Sequence, residues 1–414
     1  IADILRQYQS SGSLDRSLLS MDDSEFSSWQ QAQAAPGAPR LLLRSLRVAG
    51  VKSARDSGDM ELPRLAVLVG RNGSGKSAVL EALQWLQDAL RDGLSAATSR
   101  RYKSFRDLCT HGSNQLQFNL KLASADESQH LSYDLVVTGS DRGVPEVARE
   151  TCHWGGTEEI NTDEHGIRWI GGGIQVDQPD RLALPQAGPA SGAQRLVTLL
   201  RQAVFLRLYP RALAQPSALQ RPAGGPCLDE EGADLPALLS ELEATQSEGR
   251  GRLLRYLQET LVAGIKKVDL ERHRDQGVLV VDQSVGEGQE SIRLPAWVLS
   301  EGTRRLTALY AVMSFQPPPS LLVIEEIENG LDPWTLRSVL RALRSTSEDG
   351  VSVLLTTHSP YLLDAFEPRN IIHVIYRDGQ SHYRLASSYE DVMKYEGEIP
   401  PGVLYTEGYF RSKS

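Results

Sequence analysis

Apolar residues along this chain follow a succession of different periods. Beginning at Leu41, LLLRSLRVAGVKSARD alternates as a strand does, and after a hairpin-like break at Ser57-Gly58-Asp59 a second apolar strand, RLAVLVG, runs from Arg64 to Gly70. From Gly75 the period turns helical, because GKSAVLEALQWLQDAL places Val79, Leu80, Leu83, Leu86 and Leu90 on one stripe. Between Leu116 and Ile174 short alternating stretches (LQFNLKLA, LSYDLVV, IRWIGGGIQV) are separated by Gly, Asp and Ser, the pattern of an antiparallel β lobe. Helices are expected in AQRLVTLLRQAVFLRL and from LPALLSELEA through GRLLRYLQETLVAGI, with no heptad run of coiled-coil length. The final third alternates strand and helix (SLLVIEE, PWTLRSVLRALRS, VSVLLTTH, YLLDAF, NIIHVIY), which implies a parallel sheet.

Composition narrows the class. A hydrophobic share of 40% and a charged share of 23% are those of a soluble globular protein, and no apolar run approaches the roughly 20 residues of a membrane span. The chain opens on Ile without a secretory signal, and is read as a trimmed start of a cytoplasmic protein. Cys109, Cys152 and Cys227 lie far apart, as reduced, incidental thiols do. The net charge of -9 argues against a general nucleic-acid coat, yet Arg181 to Leu228 holds six arginines (Arg181, Arg195, Arg201, Arg207, Arg211, Arg221) and no acid. That segment is a candidate contact for DNA phosphates or an acidic partner.

The chemistry concentrates in four stretches. GRNGSGKS (Gly70, Arg71, Asn72, Gly73, Ser74, Gly75, Lys76, Ser77) matches the phosphate loop G-x-x-x-x-G-K-[ST], between an apolar strand and an amphipathic helix. Its glycines let backbone N–H groups turn toward phosphate, Lys76 would reach the β- and γ-phosphates of ATP, and the Ser77 hydroxyl would sit on Mg²⁺. LLVIEEIENGLDP delivers Glu325 and Glu326 to the end of a buried strand, where hydrated Mg²⁺ is a ready partner. Glu325 would hold the metal, and Glu326 would orient or deprotonate the attacking water. In LSEGTRRLTALYAVM, Ser300 reads as an N-cap with Gly302 leaving room for close approach, a second anion site that cannot easily serve the same phosphate. In LLTTHSP, His358 leaves a strand expected beside the one that ends in the two glutamates, within reach of a γ-phosphate.

In this order and spacing the stretches resemble the ABC-type ATPase heads of the SMC/RecF/OLD group, over nearly everything from Leu41 onward. What the resemblance implies is an α/β P-loop NTPase of ABC-head type, with an antiparallel β lobe and a helical lobe carrying the signature motif. The expected division is an N-terminal helix and tether (1–40), then a head (41–414) made of an N-terminal ATPase lobe (41–115), the β lobe (116–180), the helical lobe (181–300) and a C-terminal ATPase lobe (301–414). The resemblance also implies a head-to-tail homodimer or higher oligomer that sandwiches ATP, with Ser300 and Gly302 acting in trans and Asp332 crossing the interface. Gln115 is the nearest match to the glutamine that completes the Mg²⁺ shell. Glu-Glu at 325–326 is similar to the small OLD-like ATPases that lack a coiled-coil arm and a Toprim nuclease. Such proteins often control an effector, a nuclease or toxin encoded nearby, in prokaryotic antiphage defence.

Two other classes compete. A RecF-like repair ATPase would use the arginine segment on duplex DNA, with affinity falling steeply with salt. The nucleotide-binding subunit of a transporter fits poorly with SEGTRR, the β lobe and the closing hairpin.

Overall fold

A computed structural model describes residues 40–171, 173–189, 191–220, 227–261, 264–285 and 290–411. The helix and tether expected for 1–40, Arg40 apart, and Arg221 lie outside the described residues.

The chain enters through β1 (Leu41–Val51), β2 (Ala54–Asp56) and β3 (Met60–Glu61), and then β4 (Leu65–Val69) leads into α1 (Lys76–Asp92), α2 (Leu94–Arg101) and α3 (Phe105–Leu108). Next come β5 (Gln115–Ser124), β6 (His130–Gly139), β7 (Pro145–Trp154), β8 (Thr157–Thr162), β9 (Arg168–Ile170) and β10 (Ile174–Val176). These strands join β1, β2 and β3 in one antiparallel sheet of order β10-β9-β8-β7-β6-β5-β1-β2, with β3 on β1. The antiparallel lobe therefore recruits the first strands of the chain, because β1 pairs with β5 from Leu41–Ser124 to Ala49–Gln117.

After α4 (Gly192–Arg201) a short strand, β11 (Val204–Leu206), forms where AVFLRL was expected to continue a helix. Its three residues are all buried and pair in parallel with Leu322–Ile324, so an apolar run too short for periodicity is strand by tertiary pairing. The 181–300 region is likewise not all helix: besides α5 (Leu235–Thr245) and α6 (Ser247–Thr260) it holds a small sheet. That sheet comprises β12 (Ser217–Ala218), β13 (Ile265–His273), β14 (Gln276–Ser284) and β15 (Ser291–Pro295).

The closing third alternates α7 (Glu301–Ser314), β16 (Leu321–Ile324), α8 (Pro333–Glu348), β17 (Ser352–Thr357), α9 (Pro360–Leu363), β18 (Ile371–Arg377) and β19 (Gln380–Leu385) before two short helices, α10 (Glu390–Lys394) and α11 (Pro401–Thr406). The central sheet runs β11-β16-β17-β4-β18-β19, parallel except for its last pair. Both faces are covered, which is why its strands read as unbroken apolar runs. Along β4, Ala66 and Leu68 enter a core shared with α1 and the antiparallel sheet, whereas Leu65, Val67 and Val69 enter one shared with α7 and α8. In α1 the expected stripe of Val79, Leu80, Leu83, Leu86 and Leu90 is buried together with Trp85. Each such side chain contributes roughly 1.5–3 kcal/mol on burial, so the helix that follows the phosphate loop is anchored along its length.

Candidate functional site

Parallel register decides what meets at the edge of the central sheet. Leu355 lies opposite Ile324, and Thr357 opposite Val69, so β16, β17 and β4 release their chains on the same side. Glu325-Glu326, His358 and the loop Gly70–Ser77 consequently share one crevice beyond the carboxyl ends of the strands, where ligands of open α/β sheets bind.

The loop is shaped by its glycines and its neighbours. Gly75 sits at φ 103 as the N-cap of α1, and no side chain caps that helix start, so its first N–H groups stay open to an anion. A Cβ at Gly75 would collide with the Ser381 side chain. The Tyr383 hydroxyl donates to the Gly75 carbonyl at 2.8 Å, tying β19 to the loop. Arg71, Asn72 and Ser74 line a cavity of about 930 Å³ together with Glu326, Glu328 and His358. Lys76, only 6% exposed, donates from Nζ to the carbonyls of Gly70 (2.8 Å) and Arg71 (3.3 Å) and lies 3.3 Å from His358 Nδ1. Burial lowers its pKa against the pull of Glu326, Glu328 and Glu325. Neutral carbonyls are weaker partners for an ammonium than phosphate oxygens are, so the lysine is placed to exchange them.

Beside it the Ser77 hydroxyl donates to Glu325 Oε2 at 3.0 Å. Burial raises the Glu325 pKa, opposed by the nearby Arg207 charge and by the Ser77 hydrogen bond. A carboxylate short of positive charge next to a hydroxyl oxygen fits a hard cation such as Mg²⁺. Among the described residues no group of three His, Cys, Asp or Glu converges on a metal-sized site, so these two oxygens would need substrate oxygens and water to complete a shell.

Glu326 has a backbone few residues adopt, φ 49, at a typical cost of order 1–3 kcal/mol. Its N–H donates to Thr356 Oγ1 (2.9 Å), Asn329 Nδ2 donates to its Oε2 (2.6 Å), and its Oε1 lies 3.7 Å from His358 Nε2. The His358 N–H in turn donates to Glu328 Oε1 at 2.7 Å. His358 thus stands between the lysine and Glu326 with one ring nitrogen toward each.

Other expected residues lie apart. Ser300 caps its own helix, accepting from the Thr303 N–H at 3.1 Å, and a Cβ on Gly302 would lie 2.8 Å from the Gly330 carbonyl oxygen. Neither lines the cavities beside Glu326, although Arg305 of the same helix does. Asp332 caps α8, accepting from the N–H groups of Trp334 (2.9 Å) and Thr335 (3.0 Å) and from the Thr335 hydroxyl (2.6 Å); these bonds lower its pKa. Gln115 is not among the residues that line the cavity beside the loop. It opens β5 with an exposed side chain, since Leu116, Phe118 and Leu120 take the buried phase of that strand. Three residues of the arginine segment have separate neighbours: Arg181 packs on Gly93, Arg195 lies 5.1 Å over the Trp154 ring, and Arg207 is within electrostatic reach of Glu325.

Arg207, Asn329, Thr356 and Tyr383 had no signal of their own in the sequence. Asn329, inside the acidic stretch, Thr356, inside LLTTHSP, and Arg207, inside the arginine segment, fell within regions already singled out; Tyr383 did not.

The chain matches the family described as "AAA domain, putative AbiEii toxin, Type IV TA system" over residues 65–133 and 244–364. It is 25% identical over 95 residues to the energy-coupling factor transporter ATP-binding protein EcfA of Methanothermobacter thermautotrophicus, covering 22% of this chain and 30% of that one. It is 32% identical over 74 residues to EcfA2 of Mycoplasmopsis synoviae, covering 18% and 23%. The chain thus spans less than a third of the length of these curated relatives. Among solved structures, an SMC head bound to the C-winged helix domain of ScpA superposes with a TM-score of 0.53 at 16% identity, over 83% of this chain and 97% of that one. A Pyrococcus furiosus Smc head with an extended coiled coil, bound to the C-terminal domain of ScpA, gives 0.51 at 15%, over 86% and 99%. The described residues contain no helix long and apolar enough to cross a membrane.

Proposed function

We propose that this chain, which matches an AAA-domain family over part of its length and shares the fold of an SMC head, is an ABC-type ATPase of the SMC/RecF/OLD group that binds and slowly hydrolyses ATP between two copies of itself. Closure and opening of that head-to-tail dimer would control an effector, a nuclease or toxin encoded nearby, in cytoplasmic antiphage defence. The observation that carries this reading is the contact series Lys76–His358–Glu326 beside an uncapped helix start. The toxin–antitoxin wording of the matched family supports the effector, and the SMC-head fold supports a dimerising head.

Lys76 moves its ammonium from the loop carbonyls to the β- and γ-phosphates, and the loop from Gly70 to Ser77 wraps them with backbone N–H groups. Ser77 and Glu325 would hold Mg²⁺, which would supply neutralisation of the phosphate oxygens when bound. Glu326, fixed by Asn329 and Thr356, takes the proton of the attacking water, and His358 senses the γ-phosphate from its place beside the lysine. Ser300 and Gly302 of the second copy complete the anion site, and Asp332 keeps the crossing segment folded at the interface. Contacts to the γ-phosphate from both copies favour the closed dimer, and hydrolysis removes them. The test is purification of Glu326→Gln from the native host with Mg-ATP. A stoichiometric protein retained after nuclease treatment supports the reading; DNA retained without a protein contradicts it.

A further inference from the structure

We propose that Arg207 is the counter-charge of Glu325 in the nucleotide-free chain, and that it keeps a divalent cation out of the Ser77–Glu325 site until nucleotide phosphates arrive. The inference rests on the reading of Ser77 and Glu325 as metal ligands, and adds the residue that decides when they are available.

Strand register places the arginine. Val204–Leu206 of β11 pair in parallel with Leu322–Ile324 of β16, and the Glu325 N–H donates to the Leu206 carbonyl at 2.9 Å. Arg207 and Glu325 therefore leave neighbouring strands at the same edge of the sheet. The Arg207 N–H donates to the Glu230 carbonyl at 2.8 Å, which fixes the backbone that carries the side chain. The residue is exposed, and among the described residues its guanidinium makes no hydrogen bond or ion pair. It is coupled to its surroundings by charge rather than by a fixed contact.

The other charges of the neighbourhood are already allotted. Glu81 accepts from the Tyr102 hydroxyl at 2.7 Å and pairs with Lys52, while Glu230 accepts from Gln84 at 2.9 Å and from Arg101 at 3.2 Å. Lys76 is drawn to Glu326 and Glu328 ahead of Glu325. Glu325 is left with the Ser77 hydroxyl at 3.0 Å and with Arg207, the foremost charge that favours its ionised form against burial. The relation is mutual, since burial works against the arginine's charge and Glu325 is the strongest of the acids that support it.

A guanidinium stays charged throughout the working pH range and has no acceptor with which to hold a metal. It therefore offsets part of the cost of burying Glu325 without ligating a cation, and it repels any cation that approaches the same carboxylate. Two positive groups share the site once phosphate oxygens bring further negative charge. The order that follows is metal together with nucleotide, never metal first.

The test follows free Mn²⁺ by electron paramagnetic resonance, with the whole chain first without nucleotide and then with a non-hydrolysable ATP analogue. Without nucleotide, Arg207→Gln should bind Mn²⁺ about tenfold more tightly than the wild type, and Arg207→Lys, which keeps the charge, should match the wild type. Adding Glu325→Gln to Arg207→Gln should remove the gain. With the analogue, Glu325→Gln alone should weaken the Mn²⁺ retention that the wild type shows. If Arg207→Gln binds Mn²⁺ no more tightly while Glu325→Gln still weakens retention with the analogue, the inference is overturned alone. Retention that Glu325→Gln leaves unchanged takes Glu325 out of the metal site, and the inference falls with that reading.

Discussion

The helix starts of α1 and α7 are built on opposite principles. At α1 the cap is a left-handed glycine with no side chain to offer, so only the Gly75 carbonyl, which accepts from the Ala78 N–H at 3.1 Å, serves the first turn until an anion arrives. At α7 Ser300 already satisfies the Thr303 N–H, and its hydroxyl also meets Thr303 Oγ1 at 2.8 Å. The first has no side chain in competition with phosphate; the second already spends its cap hydroxyl on one of its own N–H groups. Cα geometry alone would call both anion sites, and their hydrogen bonding separates a primary binding element from one recruited by assembly.

On the loop side the expected effects are large. Glu326→Gln should lower hydrolysis by about 10²–10⁴-fold in a phosphate-release assay while nucleotide still binds, since only the proton acceptor is lost. Wild-type turnover by that variant would remove Glu326 from the role of base. Lys76→Ala should weaken nucleotide binding by roughly 100-fold in calorimetry, because a charge-assisted contact to two phosphates disappears. On the α7 side the expected effects are smaller and of another kind. Ser300→Ala should cost about 1 kcal/mol of stability through the lost cap, leave binding by the single chain unchanged, and abolish nucleotide-dependent dimerisation in sedimentation.

The smallest effect concerns Glu325 in the nucleotide-free chain. Burial raises its pKa, so the folded state keeps a proton that the unfolded chain has released. That contribution is fully present below the ordinary glutamate value and is lost as pH rises through the raised one. Glu325→Gln should therefore raise the melting temperature at neutral pH by roughly 1–2 °C and flatten its dependence on pH above the ordinary glutamate range. A lower melting temperature would show that pairing with Arg207 outweighs burial.

What could be read before the fold was known follows chain locality. The loop from Gly70 to Ser77 and the acids after Ile324 are contiguous in sequence, and a strand before each announced its place. The parallel sheet was legible for the same reason. β11 was not, because three buried residues carry no period and only pairing with β16 makes them a strand. β13 to β15 were missed inside a segment whose flanking helices dominate its pattern. Gln115 was carried over from the family resemblance alone, and it opens β5 as an exposed residue. Of the hydrogen bonds that hold Glu326, the one from Asn329 is local, whereas the one to Thr356 depends on β16 and β17 lying side by side, which no local pattern encodes.

The central claim is that one working site is assembled from α1 of one copy and α7 of the other. Mixing inactive Lys76→Ala with inactive Ser300→Arg tests it most directly. Each heterodimer then holds one site with an intact lysine and an intact serine, so a one-to-one mixture should recover hydrolysis at about a quarter of the wild-type sites. A mixture as inactive as its components, or a Ser300→Arg chain that hydrolyses ATP alone, would contradict the composite site.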